Sequence, residues 1–323
     1  MITGIYRYGG LTIRSPWKLP GLNDTVSRSV DPQAETPFLT IRRADRGVWK
    51  WKQPIFNWSG RFGLQLHRAG NDWVFSIAAG AEFWIRRDGG EVACDPGDAG
   101  WSETVAEAFV RRVLPRLVQL RGCLVLHAAA LRSPSGTVLL CGRSGAGKST
   151  LAASLHRSLG WSILGDDTAI LQTVDGRTLV LPGTNGVTLW EDSQAAVGGS
   201  FAESKRIEAY ATKFRNQEVT GFAETGLPLH TIYHLGDAAA SDSAAVTIER
   251  IAPSAGAGLL SAQSIRFNPA DRGAEAQRFL GWMGLARQKR QWALLYPRRF
   301  DMLARVAERL NAENQKRLVE APQ

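Results

Sequence analysis

Hydrophobic and polar positions follow different rhythms in different parts of this chain, and the change of rhythm divides it. Over roughly the first hundred residues, short alternating runs such as Val48-Trp49-Lys50-Trp51-Lys52 and Phe83-Trp84-Ile85-Arg86-Arg87 are punctuated by turn signals. Those signals are Gly9-Gly10, Pro20-Gly21, Ala69-Gly70-Asn71-Asp72, Asp88-Gly89-Gly90 and Asp95-Pro96-Gly97. Successive side chains of a strand point to opposite faces, so alternation between turns predicts a small antiparallel β domain over 1–100. Its many tryptophans read as core or interface residues and are assigned no chemistry. From Ser102 the period lengthens. Val105, Phe109, Val110, Val113, Leu114, Leu117 and Leu120 recur at helical spacing, with Ser102 as the cap and Pro115 as an interruption. This segment, 101–121, is expected to bridge the β domain to a second domain over 122–323.

The second domain opens with continuous apolar runs. Cys123 to Leu131 and Thr137 to Cys141 read as buried strands around the turn Ser133-Pro134-Ser135-Gly136. A four-residue hairpin loop there pairs Arg132 with Thr137 and sets His127 opposite Gly142. Trp161 to Gly165 reads as a further strand. Thr168 to Val174 and Arg177 to Leu181 flank Asp175-Gly176, a strong two-residue hairpin signal. Pro228 to Leu235 and Ala245 to Ile251 add two more strands, and helices close the chain around 273–288 and 300–316. Strands following strands argue against a plain alternating βαβ sheet and for a mixed α/β fold.

The most selective feature is Gly142-Arg143-Ser144-Gly145-Ala146-Gly147-Lys148-Ser149, a complete G-x-x-x-x-G-K-[ST] phosphate loop between a strand and a helix that begins near Thr150. Its glycines let the backbone turn tightly and aim N–H groups at a polyphosphate, and the positive end of the following helix favours the same anion. Residues 142 to 150 are therefore the expected nucleotide contacts. Lys148 would reach the β and γ phosphates, and the Ser149 hydroxyl would hold Mg²⁺. Asp166-Asp167 follows Lys148 by 18 residues, room for a helix and its return strand. Carboxylates at that strand end can divide metal binding from proton abstraction.

Charge and cysteine usage narrow the setting. The 39 basic and 30 acidic residues leave a net charge of +9, which attracts anions of many kinds. The densest basic cluster, Arg287, Lys289, Arg290, Arg298 and Arg299 with Trp292 and Tyr296, reads as a solvated face of a helical C-terminal segment in preference to a nucleic-acid surface. Cys94, Cys123 and Cys141 form no C-x-x-C pair, which argues against a disulfide framework or zinc site. With no apolar run near ~18 residues and no secretion-signal pattern at Met1–Arg7, a cytoplasmic location and no membrane association are expected.

Taken in order, His127, the loop 142–149 and Asp166-Asp167 resemble the C-terminal kinase domain of the HPr kinase/phosphorylase family, which shares a P-loop on a mixed sheet with phosphoenolpyruvate carboxykinase. The resemblance is good over about 122–182, weak beyond, and absent over the first hundred residues. It implies an ATP-dependent serine kinase acting with Mg²⁺. Asp166 would take the proton from the acceptor serine, His127 would support it or the γ-phosphate, Lys148 would stabilise the transferring group, and Ser149 with Asp167 would hold the metal. Bifunctional members carry a Glu- and Arg-containing signature where this chain has Pro182 to Trp190 with neither, so the resemblance implies a kinase without the phosphorolytic reaction. Its texture is closer to HPr-kinase-like proteins of modified-peptide pathways, including lasso-peptide kinases, whose acceptor is a small precursor peptide. Lys205 and Arg206 are further candidates for phosphate or acceptor contacts. A homo-oligomer is compatible with the sequence.

Other P-loop readings remain open at this level. A small-molecule kinase fits the loop equally well. An ABC-type ATPase requires an L-S-G-G-Q helix and an apolar strand ending in Asp-Glu, and neither occurs.

Overall fold

The computed structural model describes residues 4–23, 38–45, 47, 53–198, 203–217, 225–237 and 245–320. The chain divides into two compact units, the first comprising Met1–Val125 and Ile265–Ala276, the second Leu126–Ser264 and Gln277–Gln323. The fold is mixed α/β, with a β-rich N-terminal sheet and a P-loop domain.

In the first unit an eight-stranded sheet runs in the order 4–8, 11–15, 38–43, 91–95, 82–85, 72–76, 65–69, 56–57. Its pairings are antiparallel except where 38–43 runs parallel to both 11–15 and 91–95. The alternation read at Phe83 is realised in the strand Glu82–Ile85, where Phe83 and Ile85 are fully buried and Trp84 is not. The run Val48 to Lys52 lies outside the described residues. Aromatic contacts dominate this core. Trp73 and Phe75 meet the edge of Phe267 at 5.5 and 5.4 Å, and Phe83 packs on Phe109 at 5.4 Å. Such ring pairs each add about 0.5–1.5 kcal/mol beyond the area they bury.

The helical segment after Ser102 belongs to this first unit, where Phe109 joins the aromatic core. The Ser102 Oγ accepts from the Val105 N–H at 3.4 Å, as a cap should. Pro115 has no N–H for an i→i−4 bond, and its ring crowds the preceding turn. The chain accommodates it by widening to a π-helical stretch, Phe109–Val113, in which the Leu114 N–H reaches back five residues to the Phe109 carbonyl. Helix then resumes at Leu114–Leu117 and tightens to a 3₁₀ turn over Val118–Arg121.

In the second unit the strand Gly136–Cys141 feeds the phosphate loop, and the helix Lys148–Leu159 leaves it. The hairpin register is as expected from the sequence, Arg132 opposite Thr137, with the ladder continuing to Ala128 opposite Cys141. The run read as one strand from Cys123 to Leu131 is broken at His127, which is a bend between Leu124–Leu126 and Ala128–Ser133. The His127 N–H donates to the Gln263 carbonyl at 2.8 Å, which takes it out of the hairpin ladder. The Asp175-Gly176 hairpin forms as read, with both turn residues at positive φ and Val174 opposite Arg177.

Three relations align the sheet. Both Gly136–Cys141 and Ser162–Gly165 run antiparallel to Ala128–Ser133, so they point the same way. Leu227–Asp237 lies parallel to Gly136–Cys141, and Arg290–Tyr296 lies parallel to Leu227–Asp237. That last strand corrects the sequence reading, which made this basic stretch part of a helical segment. Buried Gln291, Leu294 and Tyr296 fit it into the sheet, and non-local pairing outweighs the local charge pattern. The loop helix buries Leu151, Ala152 and Leu155 in a core shared with Val306, Ala307 and Leu310 of the C-terminal helix Leu303–Glu320. A small sheet of 187–190, 213–217 and 203–206 completes the unit.

Candidate functional site

Four segments end on one edge of this sheet for the topological reasons just given. The loop follows Cys141, Asp166-Asp167 follows Gly165, His127 precedes Ala128, and Pro297-Arg298 follows Tyr296. Loop strands with parallel direction place their C-terminal ends together, which is where open α/β sheets bind ligands.

The loop itself depends on glycine at particular points. Gly145 and Gly147 sit at φ 78° and 86°, and a side chain on Gly142 (φ 155°) would lie 3.1 Å from the Ala146 Cβ. Arg143, Ser144 and Gly145 are exposed, Ala146 is buried, and Ser149 and Thr150 are half-buried at the start of the helix. Lys148 is buried and lies along the loop, donating to the carbonyls of Gly142 at 2.8 Å and Arg143 at 3.1 Å. Of its three N–H donors, two are thus spent on fixing the ammonium in place. Burial pushes the Lys148 ammonium below the ordinary lysine range, while the Asp167 and Asp166 carboxylates pull it back up. The two acids therefore sit within the electrostatic reach of the loop lysine.

The carboxylates are held differently. Asp166 is 3% exposed; its Oδ1 accepts from the Ser149 hydroxyl at 2.7 Å and its Oδ2 from the Thr188 backbone N–H at 2.8 Å. Asp167 turns the other way, at φ 68°. Its Oδ1 lies 3.1 Å from the His127 Nδ1, and its own carbonyl lies 3.0 Å from the same nitrogen. The two side chains remain partly open, 29% for His127 and 20% for Asp167. The expected grouping of Ser149 with Asp167, and of His127 with Asp166, is thus exchanged in the structure. Positive φ at Asp167 sends adjacent carboxylates to different partners.

Other residues of the site escaped the sequence reading. Thr188 grips Asp166 through its backbone, and the Thr184 hydroxyl donates to the Asp166 carbonyl at 3.3 Å. The adjacent β-branched Val187 and Thr188, followed by apolar Leu189, were the available signal for a strand there. Arg298 donates through Nη1 to the Gly145 carbonyl at 3.3 Å, a contact that a helical reading of its neighbourhood hid. Lys213, across the small sheet, adds a positive charge that Lys148 feels. Lys205 and Arg206 lie on the outer strand Glu203–Arg206, and Arg206 is exposed and donates to the Ala211 carbonyl, not to the loop. A cavity of about 480 Å³ is lined by Trp190, Glu191, Asp192, Ala195 and Thr212, and includes neither a phosphate-loop residue nor the Asp166-Asp167 pair.

Ser149 and Asp166 offer a hydroxyl and a carboxylate, hard oxygen donors of the kind Mg²⁺ takes beside substrate phosphates and water. Among the described residues no cluster of three or more His, Cys, Asp or Glu side chains could hold a metal on its own.

Loop, helix, lysine and strand-end carboxylate define a P-loop nucleotide-binding domain, the machinery shared by kinases and ATPases. A family model described as an AAA domain matches residues 138–206, which contain the loop, its helix and the aspartate pair. Among solved structures, the chain is similar to the Hpr(Ser) kinase/phosphatase from Coxiella burnetii, at 14% identity over 59% of this chain and 97% of that one, with a TM-score of 0.31. No curated protein matches the chain. Among the described residues no helix is long and apolar enough to cross a membrane.

Proposed function

We propose that this protein is a cytoplasmic, ATP-dependent kinase that phosphorylates a serine hydroxyl of a small protein or precursor peptide. The observation that carries the reading is the His127–Asp167 pair, partly open, on the same sheet edge as the phosphate loop. A phosphoryl acceptor needs a base within hydrogen-bond reach of its hydroxyl, and a histidine that orients a carboxylate supplies one. The same pair can position an attacking water, so the identity of the acceptor is what separates a kinase from an ATPase.

In this reading the division of labour follows the contacts. Asp166, fixed by the Thr188 N–H and joined to Ser149, is the metal-side carboxylate. Asp167 accepts the proton of the acceptor hydroxyl, and His127 orients it. Lys148 holds the β–γ end of the nucleotide, and the loop N–H groups cradle its phosphates. Mg²⁺, held by Ser149 and Asp166, would neutralise phosphate charge. Lys205 and Arg206 are left as acceptor contacts away from the loop.

The test is incubation of the full chain with γ-labelled ATP, Mg²⁺ and the peptide fraction of a cell extract, with products read by mass spectrometry. Phosphoserine on a peptide, lost in Asp167→Asn while ATP still binds, is the expected result. Label only in metabolites would replace the acceptor class. The AAA-domain match favours a second reading, an ATPase. Steady phosphate release that no peptide alters, with no phosphopeptide formed, would select it.

A further inference from the structure

The last strand of the sheet brings a second cation to the phosphate loop. Arg290–Tyr296 runs parallel to Leu227–Asp237, with Tyr296 opposite Asp237, and that strand runs parallel to the one feeding the loop. Two separate contacts locate the end of this strand. The hydroxyl of buried Tyr296 lies 3.8 Å from the place a side chain on Gly147 would occupy. Two residues on, exposed Arg298 donates from Nη1 to the carbonyl of Gly145, the middle glycine of the loop. The neighbouring Arg299 is instead committed to Asp301, with Nη2 3.1 Å from Oδ2. The two adjacent arginines are therefore not equivalent. Of the two, Arg298 is the one that contacts the loop.

Arg298 repeats the arrangement of Lys148, a cation anchored on loop carbonyls at the rim of an anion cradle. We propose that Arg298 is a phosphate-binding residue, its guanidinium contacting the β–γ end of a polyphosphate seated in the loop. A guanidinium presents five N–H donors in a planar fork that it can share among several partners, so its contact with Gly145 is compatible with contacts to phosphate oxygens. The proposal rests on the nucleotide-binding part of the function above and not on the serine acceptor. It is read without any acceptor, so its failure and that of the kinase reading are separable.

The experiment is titration of the full-length protein, Arg298→Ala and Arg298→Lys with ATP, ADP and inorganic tripolyphosphate, at fixed Mg²⁺ and salt. Loss of a charge-assisted bond should weaken ATP and tripolyphosphate by a similar factor, about 10- to 100-fold in Arg298→Ala, and ADP by less. Arg298→Lys should recover only part, since a point charge lacks the fork. Arg299→Ala, with the same charge change, should leave all three affinities within about twofold, the scale of an exposed ion pair. An ATP affinity unchanged in Arg298→Ala overturns the proposal. So does a fall for ATP with tripolyphosphate unaffected, which would move Arg298 to the base or ribose. An equal fall for ATP and ADP with a lowered unfolding temperature would make the residue a structural brace of the loop.

Discussion

Both units bury polar groups, but in different settings. In the first, aromatic side chains pack against one another, the ion pairs around Arg86, Asp88 and Glu91 stay toward solvent, and Arg111 is buried with Glu107, Nε 2.7 Å from Oε2. In the second, polar groups are buried and satisfied: Lys148 by loop carbonyls, Asp166 by Ser149 and Thr188, His234 by Gln291 at 2.7 Å. Burying a polar group is costly unless every bond is met. In the first unit the buried charged pair joins neighbours on one helical segment, whereas in the second Lys148 and Asp166 are gathered at the sheet edge that carries the phosphate loop.

The comparison is broken most directly at the partly open acid. Asp167→Asn should lower phosphoryl transfer by about 10²–10⁴-fold, the span of general-base catalysis, with ATP affinity changed only a few-fold. Lys148→Ala should cost about 10²–10³-fold in transfer and weaken ATP as well, since it removes a fixed cation. Equal transfer rates in wild type and either variant would show that polar burial on this edge is structural. The mirror experiment is Phe83→Ala in the first unit. It should cost about 3–5 kcal/mol in urea unfolding followed by tryptophan fluorescence, while the folded fraction keeps its ATP affinity.

Thiols sharpen the contrast with a smaller effect. Burial pushes Cys123 up to about 11 and Cys141 up to about 12, and holds Cys94 far above the ordinary thiol range. The thiolate is the reactive form, so at pH 8 an aromatic disulfide reagent should leave the native protein unlabelled and should label all three cysteines in guanidinium. Fast labelling of Cys141 alone would reveal opening at the end of the loop strand.

The smallest expected effect is on acid stability. Burial lowers the His234 imidazole below its ordinary value, partly opposed by its bond to Gln291. The folded chain therefore keeps the ring neutral where the unfolded chain takes up a proton. Stability should fall as pH drops through about 6.5 and level off below the lowered folded value. His234→Gln should flatten that slope.

What the sequence made legible was local. The loop, its helix, the Asp175-Gly176 turn and the register of Arg132 with Thr137 all follow from residues close together in the chain. The register drew His127 toward the first glycine of the loop, and the family resemblance joined it to the aspartates; the break at His127 was not legible, because the Gln263 carbonyl that holds it comes from far along the chain. Arg290–Tyr296 was hidden for a related reason. Its charged flanks, Lys289, Arg290, Arg298 and Arg299, advertise a solvated segment, and only pairing with Leu227–Asp237 makes it a strand. Arg298 was lost with it. Thr188 acts through its backbone, for which side-chain identity gives no sign.

Asp167 has a consequence for how this chain can evolve. A left-handed backbone suits glycine, and aspartate or asparagine are the side-chain-bearing residues that best tolerate it. Asp167→Gly should therefore relax the main chain while deleting the carboxylate that faces His127. At this position the backbone favours glycine, and the carboxylate's contact with His127 opposes that preference. A library sorted for heat resistance and one sorted for turnover should part company at this position.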